Sequence, residues 1–263
     1  MRLLALDTST KVTGVCLYRL DSPDAPGALS GRLEGLVEEA QERSHAEEVF
    51  RLVEKLLAKT GIKKQEIDGF ACCIGPGSFT GLRIGITIAK TMAQFTKRSL
   101  FGISTLQSLL YGSLLEVEEG GRLHLAEAEM GPEVLQVPLL DARSNRIFAS
   151  AGILREEEWQ ELLPESLRYE EDFQKELEGL QEKFALPKLR WVGSALSKHP
   201  ALKERTDFFS RVTSEEAEHS AVLGCAFLAG QRALRGKGDD PLDLRPNYLR
   251  KSQAEMDFRG GRT

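Results

Sequence analysis

The segment GPGSFTGLRIG, residues 75–85, joins two apolar stretches of different length. Before it, Ile67–Ile74 is an apolar run that is interrupted only by Asp68, and after it a longer apolar stretch begins at Phe79. A short apolar run that ends in glycine and proline is typical of a buried strand, whereas the second stretch exceeds strand length. The segment therefore predicts a strand, a tight loop and a helix in succession.

The residues of this loop are compatible with an anion-binding site and exclude a Walker loop and a serine hydrolase motif. Gly75 and Gly77 bend the chain, and Ser78 can cap the next helix while free N–H groups point into the loop, an arrangement that suits an anion. An ordinary strand-to-helix turn uses the same residues, so both interpretations stay open. The loop is not a Walker loop, since no GK[ST] follows, and Ser78 does not stand in the G-x-S-x-G of a serine hydrolase.

The predicted helix carries a small residue every fourth position, which leaves one side nearly free of side-chain bulk. A second stripe of this kind, from Ala221 to Ala233, lies near the C-terminus, so the two helices could pack on each other. Because the first helix has so few polar positions, we favour the alternative that one apolar side contacts another subunit. The predicted contact residues are Phe79, Gly81, Leu82, Gly85, Ile86, Ala89, Met92 and Ala93.

A second candidate site follows the first strand-like run, in LLALDTST at residues 3–10. Asp7 is followed by three hydroxyl side chains, those of Thr8, Ser9 and Thr10, and such a group can hold a metal–phosphate. We favour a turn whose side chains satisfy their own backbone, because glycine does not occur before Gly14 to let phosphate oxygens approach. The nucleotide-binding candidates are Asp7, Thr8, Ser9, Thr10, Gly75, Gly77 and Ser78.

Composition excludes several classes of function. The chain has 263 residues, 35 basic and 40 acidic side chains and a net charge of −5, without a basic run, so unaided tight binding to nucleic acid is not expected. The four cysteines lack C-x-x-C spacing and the four histidines lack H-x-x-x-H spacing, so we expect neither a metal site nor a redox pair. A secretory leader is not signalled, and we expect a cytoplasmic protein without a membrane segment.

The remaining patterns predict the elements around these motifs. Residues 3–37 predict three antiparallel strands. Ser44 and Glu47 predict a capping box for a helix that ends at Gly61. Leu100–Ile103 predicts a strand, which is followed by a helix capped by Ser104. In the second half, residues 134–154 predict a hairpin around DARSN, with Asp141 in an Asx turn, and Pro138 predicts an edge strand or a bulge. Residues 155–185 predict a helix with an acidic face. Further strands are expected at 189–192 and 208–212, and a last helix at 216–235.

Several stretches, in order and spacing, resemble the TsaB (YeaZ) family over essentially the whole chain. They are LLALDTST at 3–10, the neighbourhood of His45–Glu47, GPGSFTGLRIG at 75–85 with AK at 89–90, GIST at 102–105, LLDAR at 139–143 and PNYLR at 246–250. The glycine segment is the specific part of the match.

The resemblance implies an α/β protein with the two-lobed actin-like ATPase (ASKHA) fold, in which mixed sheets are flanked by helices. We expect an N-terminal lobe at residues 1–110, a smaller lobe at 111–215, and a C-terminal helix and tail at 216–263 that return to the first lobe. Two segments, 112–132 and 155–185, depart from the family pattern.

The resemblance also implies a function. Proteins of this family are non-catalytic partners of the catalytic subunit TsaD and the ATPase TsaE, which modify adenosine 37 of tRNAs that read ANN codons with a threonylcarbamoyl group. We therefore expect a homodimer of the isolated chain, tRNA contact only through the complex, and no cofactor held by this chain alone, with ADP or ATP at the interface with the partner left open.

One departure from TsaD bears on catalysis. TsaD-like proteins carry two metal-binding histidines after the strand that follows the glycine segment, whereas Thr105 and Leu109 stand at those positions here. The sequence therefore predicts a subunit that is not an enzyme. Two alternatives remain: an independent actin-like ATPase or kinase built on Asp7, and, less favoured, a glycoprotease-like peptidase.

Overall fold

The computed structural model describes residues 1–21, 31–40, 46–126, 133–199, 202 and 221–249. Two β-sheets and five α-helices are present in this part of the chain. The predicted α/β class, with mixed sheets flanked by helices, is confirmed. The predicted capping box at Ser44 and the predicted strand at 208–212 lie outside the described residues.

The first sheet has seven strands in the order β5-β4-β1-β2-β3-β7-β6. The strands are β1 (Arg2–Asp7), β2 (Val12–Leu20), β3 (Gly31–Ala40), β4 (Gly69–Gly75), β5 (Ser99–Ser104), β6 (Leu115–Val117) and β7 (Arg122–Leu125). As predicted, β1, β2 and β3 form an antiparallel meander, and β4 and β5 add to it parallel to β1. Strands β1 and β4 therefore end at the same edge of the sheet.

Helices cover both faces of this sheet. Alternate residues of a strand point to opposite faces, so Leu4 and Leu6 pack with α1 (Ala46–Thr60) and α2 (Phe79–Thr96). Leu3 and Ala5 pack on the other face, where the helices are α3 (Thr105–Gly112) and α5 (Ala221–Leu234). The apolar run of the first strand is continuous because both of its faces are buried.

The second sheet has four strands in the order β10-β9-β8-β11, with one helix, α4, on it. The elements are β8 (Val134–Asp141), β9 (Arg146–Arg155), β10 (Glu158–Tyr169), α4 (Glu170–Phe184) and β11 (Lys188–Val192). The predicted hairpin and the predicted strand at 189–192 are confirmed. The Asx turn is confirmed as well, because the backbone N–H of Arg143 donates to Asp141 Oδ1 at 2.8 Å.

Two predictions for this half were wrong. Pro138 does not lie on an edge strand, since β8 lies between β9 and β11 and Pro138 is in register with Val192 of β11. It does not lie at a bulge either, because the register of β8 with β9 is the same before and after it. Residues 155–185 are not one helix, because their first part forms β10 along β9 and only α4 is helical. A long hairpin partner overrides the helical preference of a glutamate- and leucine-rich segment.

The lobe limits at 110 and 215 stay a prediction. The first sheet does not end at residue 110, because two strands that follow this residue still belong to it. Strands β6 and β7, at 115–125, add to the first sheet through β3. Helix α5 packs on α3 and on the first sheet, and Gly224 allows the close approach, because a Cβ there would overlap the carbonyl oxygen of Ser108. The less favoured alternative, that its stripe packs on the stripe of α2, is excluded, since α5 and α2 lie on opposite faces of the first sheet.

After α5, residues 239–249 form a segment outside the helices and named strands, with a turn at 241–243, that we call the strap. The strap begins beside β5, where the N–H of Asp239 donates to Leu100 O at 2.8 Å. Leu244 then lies on Gly102 of β5, and the N–H of Asn247 donates to Ile74 O of β4 at 2.7 Å. The strap thus crosses from the start of β5 to the carboxyl end of β4.

Candidate functional site

The two candidate segments of the sequence meet at the carboxyl ends of β1 and β4. The strands are parallel neighbours with Leu6 opposite Cys72, so the turn after Asp7 and the loop after Gly75 leave the sheet side by side. In open α/β sheets, this edge is where ligands usually bind. The structure therefore brings all seven predicted nucleotide-binding residues into one region.

Hydrogen bonds within this region join the two segments to each other. The N–H of Ser78 donates to Ser9 O at 2.7 Å, and Thr8 Oγ1 donates to Gly81 O at 2.7 Å. Ser78 caps α2 as predicted, since its Oγ accepts from the N–H of Gly81 at 3.2 Å. Thr10 folds back on its own turn, where its Oγ1 and the backbone of Val12 lie 3.2 Å apart. The N–H of Ser78 and the hydroxyls of Thr8, Thr10 and Ser78 are therefore occupied within the chain.

The glycines of the segment provide the space for this contact. A Cβ at Gly77 would overlap Ser9 O, a Cβ at Gly81 would overlap Thr8 O, and a Cβ at Gly85 would overlap Thr8 Oγ1. A Cβ at Gly75, whose φ is 119°, would come within 2.7 Å of Asn247 O. Gly77, Gly81 and Gly85 therefore let the β1–β2 turn pack closely on the glycine segment, and Gly75 adjoins the strap.

Asp7 is buried and makes its hydrogen bonds locally. Its Oδ1 accepts from the N–H of Ser9 at 2.9 Å and from Ser9 Oγ at 2.6 Å. Burial raises the pKa of Asp7 above its ordinary value, although these bonds and one from Cys73 oppose the shift. A raised pKa works against the negative charge that binds a metal–phosphate. The arrangement favours the self-satisfied turn over the phosphate site, and nucleotide binding stays a prediction.

The predicted partner contact needs a correction. Six of the eight predicted contact residues are buried inside this chain: Gly81, Leu82, Gly85, Ile86, Ala89 and Ala93. The small residues of the stripe adjoin the turn or pack in the core with β4 and α1, so these six cannot form a surface for another subunit. Phe79 is half-buried and stacks on Tyr248 of the strap with a centroid distance of 4.6 Å, and Met92 is half-buried against the core.

Sequence reasoning missed a carboxylate at the same edge of the sheet. Glu165 of β10 accepts a hydrogen bond from Ser104 Oγ and a second one from Asn247 Nδ2 at 3.3 Å. Ser104 ends β5 and caps α3, and Asn247 belongs to the strap. Glu165 thus links the second sheet to the first, but in the sequence it is one glutamate in an acidic stretch. The PNYLR motif, which contains Asn247, was the only sequence feature that pointed to the partners of Glu165.

The histidines do not assemble into a metal site in the described part of the chain. No group of three or more His, Cys, Asp or Glu side chains there is placed to hold a metal ion. His199 is buried, with its Nδ1 2.8 Å from Glu170 Oε2 and its Nε2 3.6 Å from Asp141 Oδ1. The helices described in the structure also include none long and apolar enough to span a membrane.

Comparison with protein families gives a match over residues 28–167, to the model "TsaD: tRNA N6-adenosine threonylcarbamoyltransferase". This match covers more than half of the chain. The chain belongs to this family.

Two relatives place the chain in the TsaB (YeaZ) group of that family. The protein named tRNA threonylcarbamoyladenosine biosynthesis protein TsaB from Escherichia coli is 31% identical over 131 residues, which are 50% of this chain and 52% of that protein. The protein of the same name from Haemophilus influenzae is 28% identical over 177 residues, 64% of each chain. The match thus spans between half and two-thirds of the length of these curated relatives.

Solved structures of this group share the fold. YeaZ from Pseudomonas aeruginosa is 24% identical, with a TM-score of 0.61 over 94% of this chain and 99% of that one. A second structure from Pseudomonas aeruginosa, of a protein with similarity to peptidase YEAZ, has a TM-score of 0.63 at the same identity and covers 95% of this chain and 99% of that one. The similarity extends through both sheets, including the parts outside the family match.

Proposed function

We propose that this chain is a non-catalytic, cytoplasmic subunit that pairs with a TsaD-like catalytic subunit and acts with a TsaE-like ATPase. The complex would threonylcarbamoylate adenosine 37 of tRNAs that read ANN codons. The family match and the two relatives named TsaB support this pathway. The observation that supports the non-catalytic role is the burial of the two positions where TsaD-like proteins carry metal-binding histidines.

Thr105 and Leu109 occupy those positions, and both side chains are fully buried. They lie on α3, whose outer face packs against α5, and Leu109 is part of the core between the sheet and these helices. A metal-activating site needs open coordination positions for substrate or water. Here a hydroxyl and an aliphatic side chain occupy a packed core instead.

The partner would contact the outer side of α2, not the buried stripe. Phe95, near the end of this helix, is 87% exposed, which is unusual for so large an apolar side chain. Phe50 of α1, the other helix on this face of the sheet, is 47% exposed. Large exposed aromatic residues are enriched at interfaces between proteins, where they anchor the contact. Homodimerisation of the isolated chain would use the same surface.

Reconstitution tests the proposal directly. The TsaD-like and TsaE-like subunits, tRNA and threonylcarbamoyl-adenylate are combined with and without this chain, and modified adenosine is measured by mass spectrometry of digested tRNA. We expect modification only with all proteins present and none from this chain alone. Equal modification without the chain, or activity of the chain by itself, would overturn the proposal.

A matched pair of variants tests the contact surface. Phe95→Glu should abolish copurification with the TsaD-like subunit, whereas Phe184→Glu, at the end of α4 where Phe184 is 43% exposed, should leave it unchanged. Both variants must keep the wild-type unfolding transition. Equal binding by the two variants would remove α2 as the contact surface. Gly85→Leu is not a suitable test, since the new side chain would collide with Thr8 inside the chain.

A further inference from the structure

Helix α3 lies between the two sheets and packs on both of them. All of its residues except Gln107 are buried. The first sheet and α5 contact it on one side, and β8 of the second sheet contacts it on another. The apolar core around α3 contains Leu3 and Ala5 of β1 together with Phe148 of β9 and Val192 of β11. One continuous core therefore joins the two sheets.

Hydrogen bonds tie both ends of α3 to the second sheet. At the start of the helix, the hydroxyl of the N-cap residue, Ser104, donates to Glu165 of β10. At its end, Nη2 of Arg190 in β11 donates to Ser113 O at 3.1 Å and to Ser113 Oγ at 3.0 Å. Strands β10 and β11 are the two outer strands of the described second sheet, so α3 is held at both sides of it.

Tyr111 of α3 provides a third contact between these ends. Its hydroxyl donates to Glu157 O, in the turn between β9 and β10, at 2.7 Å. Its ring packs on Phe227 of α5 with a centroid distance of 5.9 Å. A single side chain of α3 thus touches a helix on the first sheet and a turn of the second sheet.

The burial of Arg190 makes a movement of the second sheet costly. Arg190 is 4% exposed, and its Nη1 also donates to the fully buried Gln136 at 3.3 Å. Its guanidinium group lies at the C-terminal end of α3, where the helix carbonyl groups carry partial negative charge. If the sheet turned relative to α3, a buried cation would lose both of its acceptors on Ser113, and a buried charge without such partners is strongly unfavourable.

Two lobes move relative to each other by default unless their interface is large and hydrophobic, and hinge closure around a ligand depends on this motion. We propose that α3 is a lock between the sheets: its contacts with Glu165, Glu157 and Arg190 hold the two sheets in one orientation, and the chain does not close its sheets around a ligand. The lock uses residues of this chain alone and goes beyond the proposed role as a partner subunit. It argues against an independent kinase, since kinases close their domains on the ligand.

Pulsed electron paramagnetic resonance measures the orientation of the sheets directly. Nitroxide labels are attached to Glu54→Cys on α1 and Glu182→Cys on α4, because both positions are exposed, whereas the four native cysteines are buried. The otherwise unchanged chain should give one narrow distribution of distances between the labels. A broad distribution, or one with two distances, would overturn the proposal.

Arg190→Met tests the lock, because methionine keeps an apolar stem and removes the donors. A hydrogen bond to a charged group changes an equilibrium constant about ten-fold, so loss of both bonds to Ser113 should favour other orientations about 100-fold and broaden the distribution. Arg168→Met is the matched control. Arg168 also donates to backbone carbonyl groups, at 2.8 and 2.9 Å, but those of Ala149 and Pro164 belong to the second sheet itself, so the distribution should stay narrow.

Tyr111→Phe keeps the test decisive if circular dichroism shows that Arg190→Met does not fold. This variant keeps the ring on Phe227 and removes only the hydroxyl that reaches Glu157, so we expect a smaller broadening. A distribution as narrow as that of the wild type in each folded lock variant would show that these contacts do not hold the sheets. Equal broadening in Arg168→Met would also refute the proposal, since that residue does not link the two sheets.

Discussion

Gly81→Ala tests whether the glycine segment is an internal seat for the β1–β2 turn. The added methyl would overlap the backbone carbonyl of Thr8, so the turn must shift, and overpacking of this kind costs about 1–3 kcal/mol. The shift would also weaken the buried bond from Thr8 Oγ1 to Gly81 O, now 2.7 Å, which contributes about 1 kcal/mol. Alanine returns about 1 kcal/mol of helix propensity. We therefore expect a net loss of about 2 kcal/mol in the free energy of unfolding.

Urea denaturation followed by circular dichroism measures this loss, and Gly179→Ala is the matched control. Gly179 also lies inside a helix, α4, but a Cβ there would meet no atom within 4 Å. The control should therefore be more stable than the wild type by about 1 kcal/mol, because only the propensity changes. If both variants are stabilised equally, Gly81 does not seat the turn, and the stripe of α2 is again available as an external contact.

Three further predictions concern the strap and its surroundings. The free energy of unfolding should fall as pH rises from 4.5 to 7, because Glu165 has a pKa raised to about 7 in the folded state. Denaturation at pH 5 and pH 8 should show a difference of about 2.5 kcal/mol that Glu165→Gln lacks, and equal pH slopes in the two proteins would contradict this. Asp239→Asn should lower the free energy of unfolding by about 1 kcal/mol in a urea titration, because it breaks a partly exposed ion pair with Arg232. This pair has two hydrogen bonds, with N–O distances of 2.8 and 3.0 Å. An unchanged midpoint would show that the pair contributes nothing to stability. Tyr248→Ala removes the ring that stacks on Phe79, whereas Tyr248→Phe keeps it. Limited proteolysis should therefore cleave the strap faster in Tyr248→Ala than in Tyr248→Phe. Equal rates of cleavage would show that the stacked ring does not hold the strap.

The first sheet was predictable because its signals are local. A continuous apolar run marks β4, and a serine before an apolar helix marks the N-cap at both Ser78 and Ser104. The Asx turn at Asp141 was also predictable from a single residue type in a short loop. In each case, the atoms that decide the structure lie within a few residues of each other.

The elements that escaped prediction depend on distant neighbours. Strand β10 contains many glutamates, and only pairing with β9 makes it a strand. The stripe of α2 showed that the side chains on one side of the helix are small, but a periodic pattern does not identify the segment that packs against that side. The actual neighbour, Thr8, lies 73 residues away from Gly81 in the sequence. Glu165 was missed for the same reason, because its partners Ser104 and Asn247 lie 61 and 82 residues away.

The burial of the glycine segment changes what the family resemblance can mean for this chain. A segment kept for phosphate binding needs free N–H groups, and one kept for a partner needs an exposed face. Here Ser78 N–H donates to Ser9 O, and Gly81 and Gly85 adjoin Thr8. In this structure, the segment therefore packs the β1–β2 turn against the start of α2. The proposed partner contact therefore rests on Phe95, which is 87% exposed near the end of the same helix, and not on the glycines.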